Sequence, residues 1–190
     1  MRIALSFGLL AVASPALAQP AGPPPVPTRD FAVSYGEGRG AGQVAWLAAE
    51  GRMRADLPNG TYIIWDTKAH RQTMVHPGQR LFFDSAGKRD RSDAPVAVRP
   101  GEQATRAGAE KIVGQDCTLW RVAKPDSESD RTICVTADGV TLRAIEREDG
   151  EVKSDSRASR VSYDRQDPSR FQVPEGYRRW DPRTEPNAFR

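Results

Sequence analysis

Residues 133–144 read ICVTADGVTLRA, two alternating runs on either side of an Asp-Gly dipeptide. Asp-Gly supplies the two positive-φ positions of a type I′ turn, which suits the twist of a two-residue hairpin. With that dipeptide as the loop, one hairpin face is apolar and carries the pairs Ala137–Val140, Val135–Leu142 and Ile133–Ala144. Cys134 then faces Arg143 on the other, half-solvated face. The stretch therefore predicts an antiparallel hairpin.

The two cysteines of the chain, Cys117 and Cys134, are expected to form a disulfide beside this hairpin. Cys117 begins an alternating run that reaches Val122, and a polar loop at residues 125–130 returns the chain to Ile133. If Cys117 lies directly opposite Cys134, the two sulfur atoms are within bonding reach. The spacing is not Cys-x-x-Cys and no histidine is near in the sequence, so the bridge is predicted to be structural rather than catalytic.

Two further turn dipeptides, Asn59-Gly60 and Asp149-Gly150, also lie between alternating runs. Across the first of them, Leu57 is expected to face Tyr62. Each dipeptide predicts another tight hairpin, so the chain is expected to form a meander of antiparallel strands.

Other segments complete a mainly β domain that we place at residues 30–177. Residues 31–35 and 44–48 alternate with the period of a strand, while residues 103–110 allow one weak helical turn. A chain of this length is long enough for one well-packed core.

The N-terminus has the three parts of a cleavable export signal, which we place at residues 1–18. Arg2 is followed by an apolar run at residues 3–12 and by small residues that end at Ala18, so cleavage is expected between Ala18 and Gln19. The apolar run is too short for a membrane-spanning helix, which needs about 20 residues. The sequence therefore predicts a periplasmic protein with no transmembrane segment after cleavage, in an oxidising compartment that suits the disulfide.

Composition assigns the remaining segments and excludes one class of partner. Residues 19–29 are proline-rich and are read as a linker, and residues 178–190 as a flexible tail. The formal net charge is only +3, with basic and acidic residues interspersed, which argues against nucleic-acid binding. An arginine-rich C-terminal stretch is read as solvated surface, with a patch for an anionic partner as the alternative.

No group of residues predicts catalysis, a metal or a cofactor. His70 and His76 have no further ligand at metal-binding spacing, since a metal site needs three or four converging ligands. No nucleophile lies beside a base in a recognisable motif. The chain is therefore predicted not to be an enzyme.

Three tryptophans in alternating segments, Trp46, Trp65 and Trp120, are the remaining candidates for a site. Large aromatic residues in a sheet are first of all core residues. If one face of the sheet is left uncovered, the same three residues would line a groove for an acyl chain or a hydrophobic peptide.

Three segments resemble a known group of exported proteins: residues 108–120 (GAEKIVGQDCTLW), 133–140 (ICVTADGV) and 171–177 (FQVPEGY). The chain resembles exported bacterial domains of unknown function related to the lipoprotein-carrier superfamily typified by LolA, LolB and RseB. The resemblance implies a strongly curved antiparallel sheet, an unclosed half barrel whose concave side forms a hydrophobic cavity. It also implies a role in handling lipids, lipoproteins or envelope stress signals.

The resulting expectation is a mainly β (α+β) fold, a single curved antiparallel sheet of half-barrel type with few short helices. The expected function is that of a secreted periplasmic, non-enzymatic protein that binds a lipid, a lipoprotein or another hydrophobic ligand. The alternative is an envelope structural or protein-interaction module, with an envelope protein as its partner and no ligand.

Overall fold

The computed structural model describes residues 22–36, 42–84, 97–99, 101–125 and 127–181. The predicted signal with its Ala18–Gln19 cleavage site lies outside these residues, as does the last part of the predicted tail. Among the described residues, no helix is both long enough and apolar enough to cross a membrane.

Twelve strands and two short 3-10 helices, Pro77–Gln79 and Pro168–Phe171, make up the described regular structure. The strands are β1 (Phe31–Tyr35), β2 (Gly42–Leu47), β3 (Arg52–Asp56), β4 (Tyr62–Asp66), β5 (Arg71–His76), β6 (Leu81–Asp84), β7 (Gln103–Ile112), β8 (Gln115–Ala123), β9 (Ser129–Thr136), β10 (Thr141–Glu148), β11 (Glu151–Ser162) and β12 (Arg178–Arg179).

All strands belong to one unclosed sheet in the order β12-β6-β5-β4-β3-β2-β1-β11-β10-β9-β8-β7. Neighbours are antiparallel except β12 and β6, which run parallel. The long strand β11 joins two halves, since Glu151–Arg157 pairs with β10 and Ala158–Ser162 pairs with β1. We call β1–β6 with β12 the N-terminal half and β7–β11 the C-terminal half.

The sheet curls so that its two halves pack against each other. A bulge between Ser34 and Tyr35 interrupts the β1–β11 register, and bulges bend and twist a strand. The main core then combines Phe31, Val33 and Trp46 of one half with Cys134 and Leu142 of the other. This confirms the predicted curved half-barrel sheet, and it makes the face that carries these residues the concave one.

The 133–144 hairpin forms as predicted, but its loop has three residues instead of two. Gly139 N donates to Thr136 O at 3.1 Å and Thr136 N to Val140 O at 2.9 Å. Gly139 has φ 88, the left-handed residue that closes a type I turn. The pairs Ile133–Ala144 and Cys134–Arg143 are confirmed. The pairs Val135–Leu142 and Ala137–Val140 are wrong, because the three-residue loop places Val135 opposite Thr141, and a bulge at Leu142 then restores the predicted register.

Of the other two turn predictions, one is confirmed and the other is wrong in its register. Glu148 pairs with Glu151 across Asp149 (φ 53) and Gly150 (φ 75), the predicted tight turn. At Asn59-Gly60, in contrast, Leu57 N donates to Thr61 O at 2.8 Å, so the loop again has three residues. Leu57 therefore lies opposite Thr61, and the predicted Leu57–Tyr62 pair is wrong by one residue.

The structure joins Cys117 and Cys134 in a disulfide with a Cα–Cα distance of 5.4 Å, so the predicted pairing fits. The predicted register of the two strands is wrong, because Leu119 and not Cys117 lies directly opposite Cys134. The bond is diagonal, and the shift of two residues keeps both cysteines on the same face. That face is also more buried than expected, with Cys134 at 0% exposure.

The convex face of the C-terminal half is covered in part. On this face, Trp120, Val122, Ile133 and Val135 form a second cluster under Ala97 and Val98. This covering segment is held by a largely covered ion pair, in which Arg131 Nη2 lies 2.5 Å from Glu102 Oε2 and the side chains are 13% and 8% exposed.

Three segments differ from the sequence prediction because tertiary contacts decide them. Residues 103–110, where a helical turn was expected, belong to strand β7. Arg178–Arg179, assigned to the flexible tail, add β12 to the sheet. The proline-rich segment, read as a linker, packs on the domain in its described part: Pro24 is buried, and Arg29 pairs with Asp138 at 2.6 Å.

Candidate functional site

Strands β1–β6 place their charges on one face of the sheet. Strands β1–β6 contain six Asp, Glu, Lys or Arg residues, and the strand alternation places all of them on the convex face: Arg52, Arg54, Asp56, Asp66, Arg71 and Asp84. The concave face of these strands therefore carries no such residue, in a chain in which 28% of residues are charged.

The concave face over β1–β3 is filled by the C-terminal half. Trp46 is 8% exposed and Met53 7% exposed within the main core. The Tyr35 hydroxyl crosses this core and donates to Thr141 O at 2.9 Å, and burial raises the pKa of Tyr35. The inner part of the half barrel is thus packed protein and leaves no groove.

The concave face over β4–β6 is only half-covered. Ile63, Trp65, Met74 and Phe83 on this face are all partly exposed, and we call these four residues the apolar wall. Ile63 pairs with Met74, and Met74 pairs with Phe83, so three of the four are direct cross-strand neighbours. Such neighbours have Cβ atoms about 5 Å apart, which makes the wall a continuous surface.

Each end of the apolar wall has a defined neighbour. Trp65 packs against the main core beside Met53, which joins the wall to the core. Phe83 meets Trp180 edge to face, with ring centroids 5.5 Å apart. At the next concave position of β5, His76 Nδ1 lies 3.2 Å from Thr61 Oγ1, and burial lowers the pKa of His76. Thr61 and His76 therefore form the polar end of the wall.

The convex face of the N-terminal half is covered by the chain that follows β11. Phe171 packs on Ala45 and Leu47, while Val173 and Tyr177 pack on the cluster of Tyr62, Ile64 and Val75. A cavity of about 320 Å³ remains beneath this segment, beside Arg52, Asp66 and Arg71.

That cavity is polar and internally paired. Burial alone would raise the pKa of Asp66, but the Ala69 N–H and the Arg52 guanidinium together hold it below its ordinary value. Arg52 also lies 2.8 Å from Glu50. Arg52 and Asp66 are thus paired within the chain, and this cavity is a poorer candidate for a ligand site than the apolar wall.

Four charged side chains tie the C-terminal half together on its concave side. Arg157 Nη1 lies 2.6 Å from Glu110, and Arg143 lies 3.5 Å from Glu110 and 2.8 Å from Asp155. The hydrogen bond from Arg157 is the main cause of a lowered Glu110 pKa. Because Glu110 is on β7 and its partners are on β10 and β11, these contacts hold the curl of this half.

The structure brings two of the three candidate tryptophans together. Trp46 and Trp65 lie in the main core on either side of Met53, whereas Trp120 is 5% exposed in the second cluster on the convex face. The three therefore do not line one groove. Only Trp65 reaches the apolar wall. The sequence analysis did not single out Ile63, Met74 and Phe83, although the alternation of β-strand residues could have placed them on the same face as Trp65.

The two histidines do not meet. His70 has φ 48 in the exposed turn before β5, while His76 ends that strand. Among the described residues, no group of three or more His, Cys, Asp or Glu side chains is placed to hold a metal ion.

Comparison with solved structures gives distant matches over most of the chain. An uncharacterized conserved protein from Thermus thermophilus matches with a TM-score of 0.56 and 11% identity, over 80% of this chain and 90% of that one. A crystal structure of MucB matches with a TM-score of 0.50 and 12% identity, over 77% of this chain and 58% of MucB. The likeness is one of fold.

A structure of the Pseudomonas aeruginosa MucA/MucB complex also matches, with a TM-score of 0.49 and 11% identity over 76% of this chain and 56% of that one. The chain thus spans little more than half the length of the MucB chains. No family model and no curated protein matches the sequence. Because MucB has an RseB-like and LolA-like fold, the predicted resemblance is confirmed for the fold alone.

Proposed function

We propose that the chain is an exported, non-enzymatic protein that binds the acyl part of a lipid or lipoprotein on the apolar wall. The observation that carries this proposal is the sorting of charge: the six charged residues of β1–β6 lie on the convex face, and the concave face stays half-exposed over β4–β6. Partly exposed Trp, Met, Phe and Ile side chains on one continuous surface are typical of a binding site for an apolar ligand.

The chemistry of the wall favours an acyl chain. Its side chains offer dispersion contacts, and methionine adapts its shape to a flexible ligand. Since strands lie about 4.8 Å apart, β4–β6 span about 10 Å, room for about eight methylenes. At about 0.8 kcal/mol each, their burial gives roughly 6 kcal/mol, a Kd in the tens of micromolar.

Strands β4–β6 give the bound molecule no charged partner on the concave face, and the charge placed at their edge on that face is Arg178 of β12, opposite Leu81. The polar end of the wall is the pair of Thr61 and His76, and the described buried polar residues are Thr61, Thr73, Thr136 and Gln166. We therefore expect a polar head group to stay in solvent, with affinity that follows chain length more than head-group charge.

The test is a titration of the mature protein with dodecanoate, followed by intrinsic tryptophan fluorescence and native mass spectrometry. Met74→Glu places a carboxylate in the centre of the wall and is expected to weaken binding at least tenfold. Val152→Glu is the matched control, because Val152 is apolar, 57% exposed and on β11. Met74→Gln repeats the test without a charge. Equal affinity of Met74→Glu and Val152→Glu would overturn the proposal.

A second candidate function is an interaction module without a lipid. The observation that favours it is the ten-residue strand β7, which ends the sheet and pairs with β8 alone among the described strands. Crosslinking in cells separates the two functions, since a protein crosslinked at β7 with the wall ligand-free supports this second one.

A further inference from the structure

The two edges of the sheet are treated differently. At one edge, β6 is covered by β12. At the other edge, β7 is hydrogen-bonded to β8 and to no other described strand. An uncovered edge strand presents a row of backbone donors and acceptors to any extended chain. We propose that the free edge of β7 binds an extended acidic peptide segment as an added strand, independently of any ligand on the apolar wall.

The covered edge shows how this sheet takes up a short extended segment. Arg178 N donates to Arg80 O at 3.0 Å, and Trp180 N donates to Phe82 O at 2.8 Å. One aromatic contact, between Phe83 and Trp180, accompanies these bonds. A few backbone hydrogen bonds and one side-chain contact thus hold a segment of about this length at the sheet edge.

The middle of β7 is open to a second backbone. Ala107, Gly108 and Ala109 are small and exposed, so no large side chain blocks the approach. The β7–β8 register shifts between Arg106 and Gly108, which divides the edge into two short runs. A bulge of this kind disfavours a long, continuous pairing such as that of two β7 strands, and it leaves each run free for a short peptide.

The charge beside this edge is basic. Arg106 is exposed, contacts Thr118 Oγ1 at 3.3 Å and has no ion pair among the described residues. Lys111 reaches Asp116 at 3.5 Å, but both side chains are largely exposed, and such a pair contributes little. Glu110 turns to the concave side, where Arg157 and Arg143 neutralise it.

These charges select the partner. An acidic segment meets Arg106 and Lys111 with opposite charge, whereas a second β7 brings the same positive charges together. The free edge therefore fits an acidic extended peptide better than a second copy of the chain.

The experiment uses the mature protein and a ten-residue synthetic peptide that alternates Glu with Val and Thr. A peptide with Lys in place of Glu tests charge, and one with alternate residues replaced by Pro tests backbone pairing. We expect the acidic peptide to bind, to bind more weakly as salt rises, and to slow amide hydrogen exchange along residues 103–112. The Lys and Pro peptides are expected to bind at least tenfold more weakly.

Charge reversal provides the matched variants. Arg106→Glu with Lys111→Glu is expected to lose the acidic peptide and gain the Lys peptide, each by at least tenfold. Lys68→Glu with Lys153→Glu makes the same charge change at exposed sites outside β7 and is expected to alter neither. No binding of the acidic peptide at millimolar concentration, protection outside β7, or a dimer that protects β7 would each overturn the proposal. Because Met74→Glu leaves β7 untouched, failure on the apolar wall is a separate outcome.

Discussion

Removing the disulfide is expected to cost a large share of the stability of this domain. Replacing Cys117 and Cys134 by Ala opens a loop with a sequence separation of 17. In the chain-entropy model, a loop of this size corresponds to about 3 kcal/mol at 25 °C. For a domain of this size, 1 kcal/mol shifts Tm by about 2–4 °C, so Tm is expected to fall by roughly 6–12 °C.

The assay is thermal unfolding followed by circular dichroism, with and without the two substitutions. Because Cys117 is 4% and Cys134 0% exposed, the Ala variant also loses core packing. The matched control is therefore the wild-type protein reduced under mild denaturant and then returned to buffer with reductant, which keeps both sulfur atoms. The Tm of this reduced protein, compared with that of the oxidised protein, measures the effect of the cross-link without the loss of core packing. A reduced protein that melts within 1 °C of the oxidised one refutes the cross-link account.

Three further outcomes are expected. Gly139→Ala should destabilise the protein by about 1–3 kcal/mol in denaturant unfolding, since Gly139 has φ 88 and a Cβ there would lie 2.4 Å from the Pro27 nitrogen. The control Gly114→Ala, at a residue with φ 78 but open space around it, should cost less. Equal costs for the two variants would contradict the packing of the N-terminal segment on Gly139. Glu102→Ala should cost about 3–5 kcal/mol by leaving Arg131 buried without its partner, whereas Glu102→Leu with Arg131→Met should restore most of it. Glu110 has a lowered pKa, so its carboxylate stabilises the fold at a pH above its ordinary pKa of 4.5, and this contribution is lost as the pH falls through the folded pKa. Glu110→Gln should therefore flatten the acid limb of a curve of stability against pH. An unchanged acid limb would contradict the Arg157 contact.

Much of the strand content was readable because alternation has a period of two. The hairpin of residues 133–144 and the turn at Asp149-Gly150 both form, since local residues alone decide them. Register was less readable. Asn-Gly and Asp-Gly also fit a three-residue loop in which only Gly is left-handed. At residues 57–60 the signal was present, because Pro58 is typical of the second position of a type I turn.

Segments placed by distant contacts were not readable. Nothing near Arg178 predicts a strand, because β12 forms only where Arg80 and Phe82 offer a backbone edge. Likewise, the proline-rich segment packs on the domain because Asp138 and Tyr163 meet Arg29, which lies more than a hundred residues earlier in the chain.

The candidate site was only partly predictable for a related reason. Alternation assigns Trp65 and Met74 to one face, but it does not say which part of that face the curl covers. That coverage depends on where the C-terminal half packs, so Trp46 is buried while Trp65 stays half-exposed. Trp120 lies on the opposite face because it alternates along β8 with Cys117 and Leu119, which face the main core.

The most direct test of the apolar wall uses the methionines as reporters. The chain has three, Met1, Met53 and Met74, and signal cleavage would leave one in the core and one on the wall. Methyl-labelled protein is titrated with a fatty acid that carries a nitroxide on its chain, and line broadening of the two methyl signals is compared. Our account predicts that Met74 broadens first and more strongly than Met53. Binding that leaves the Met74 signal unchanged would contradict it.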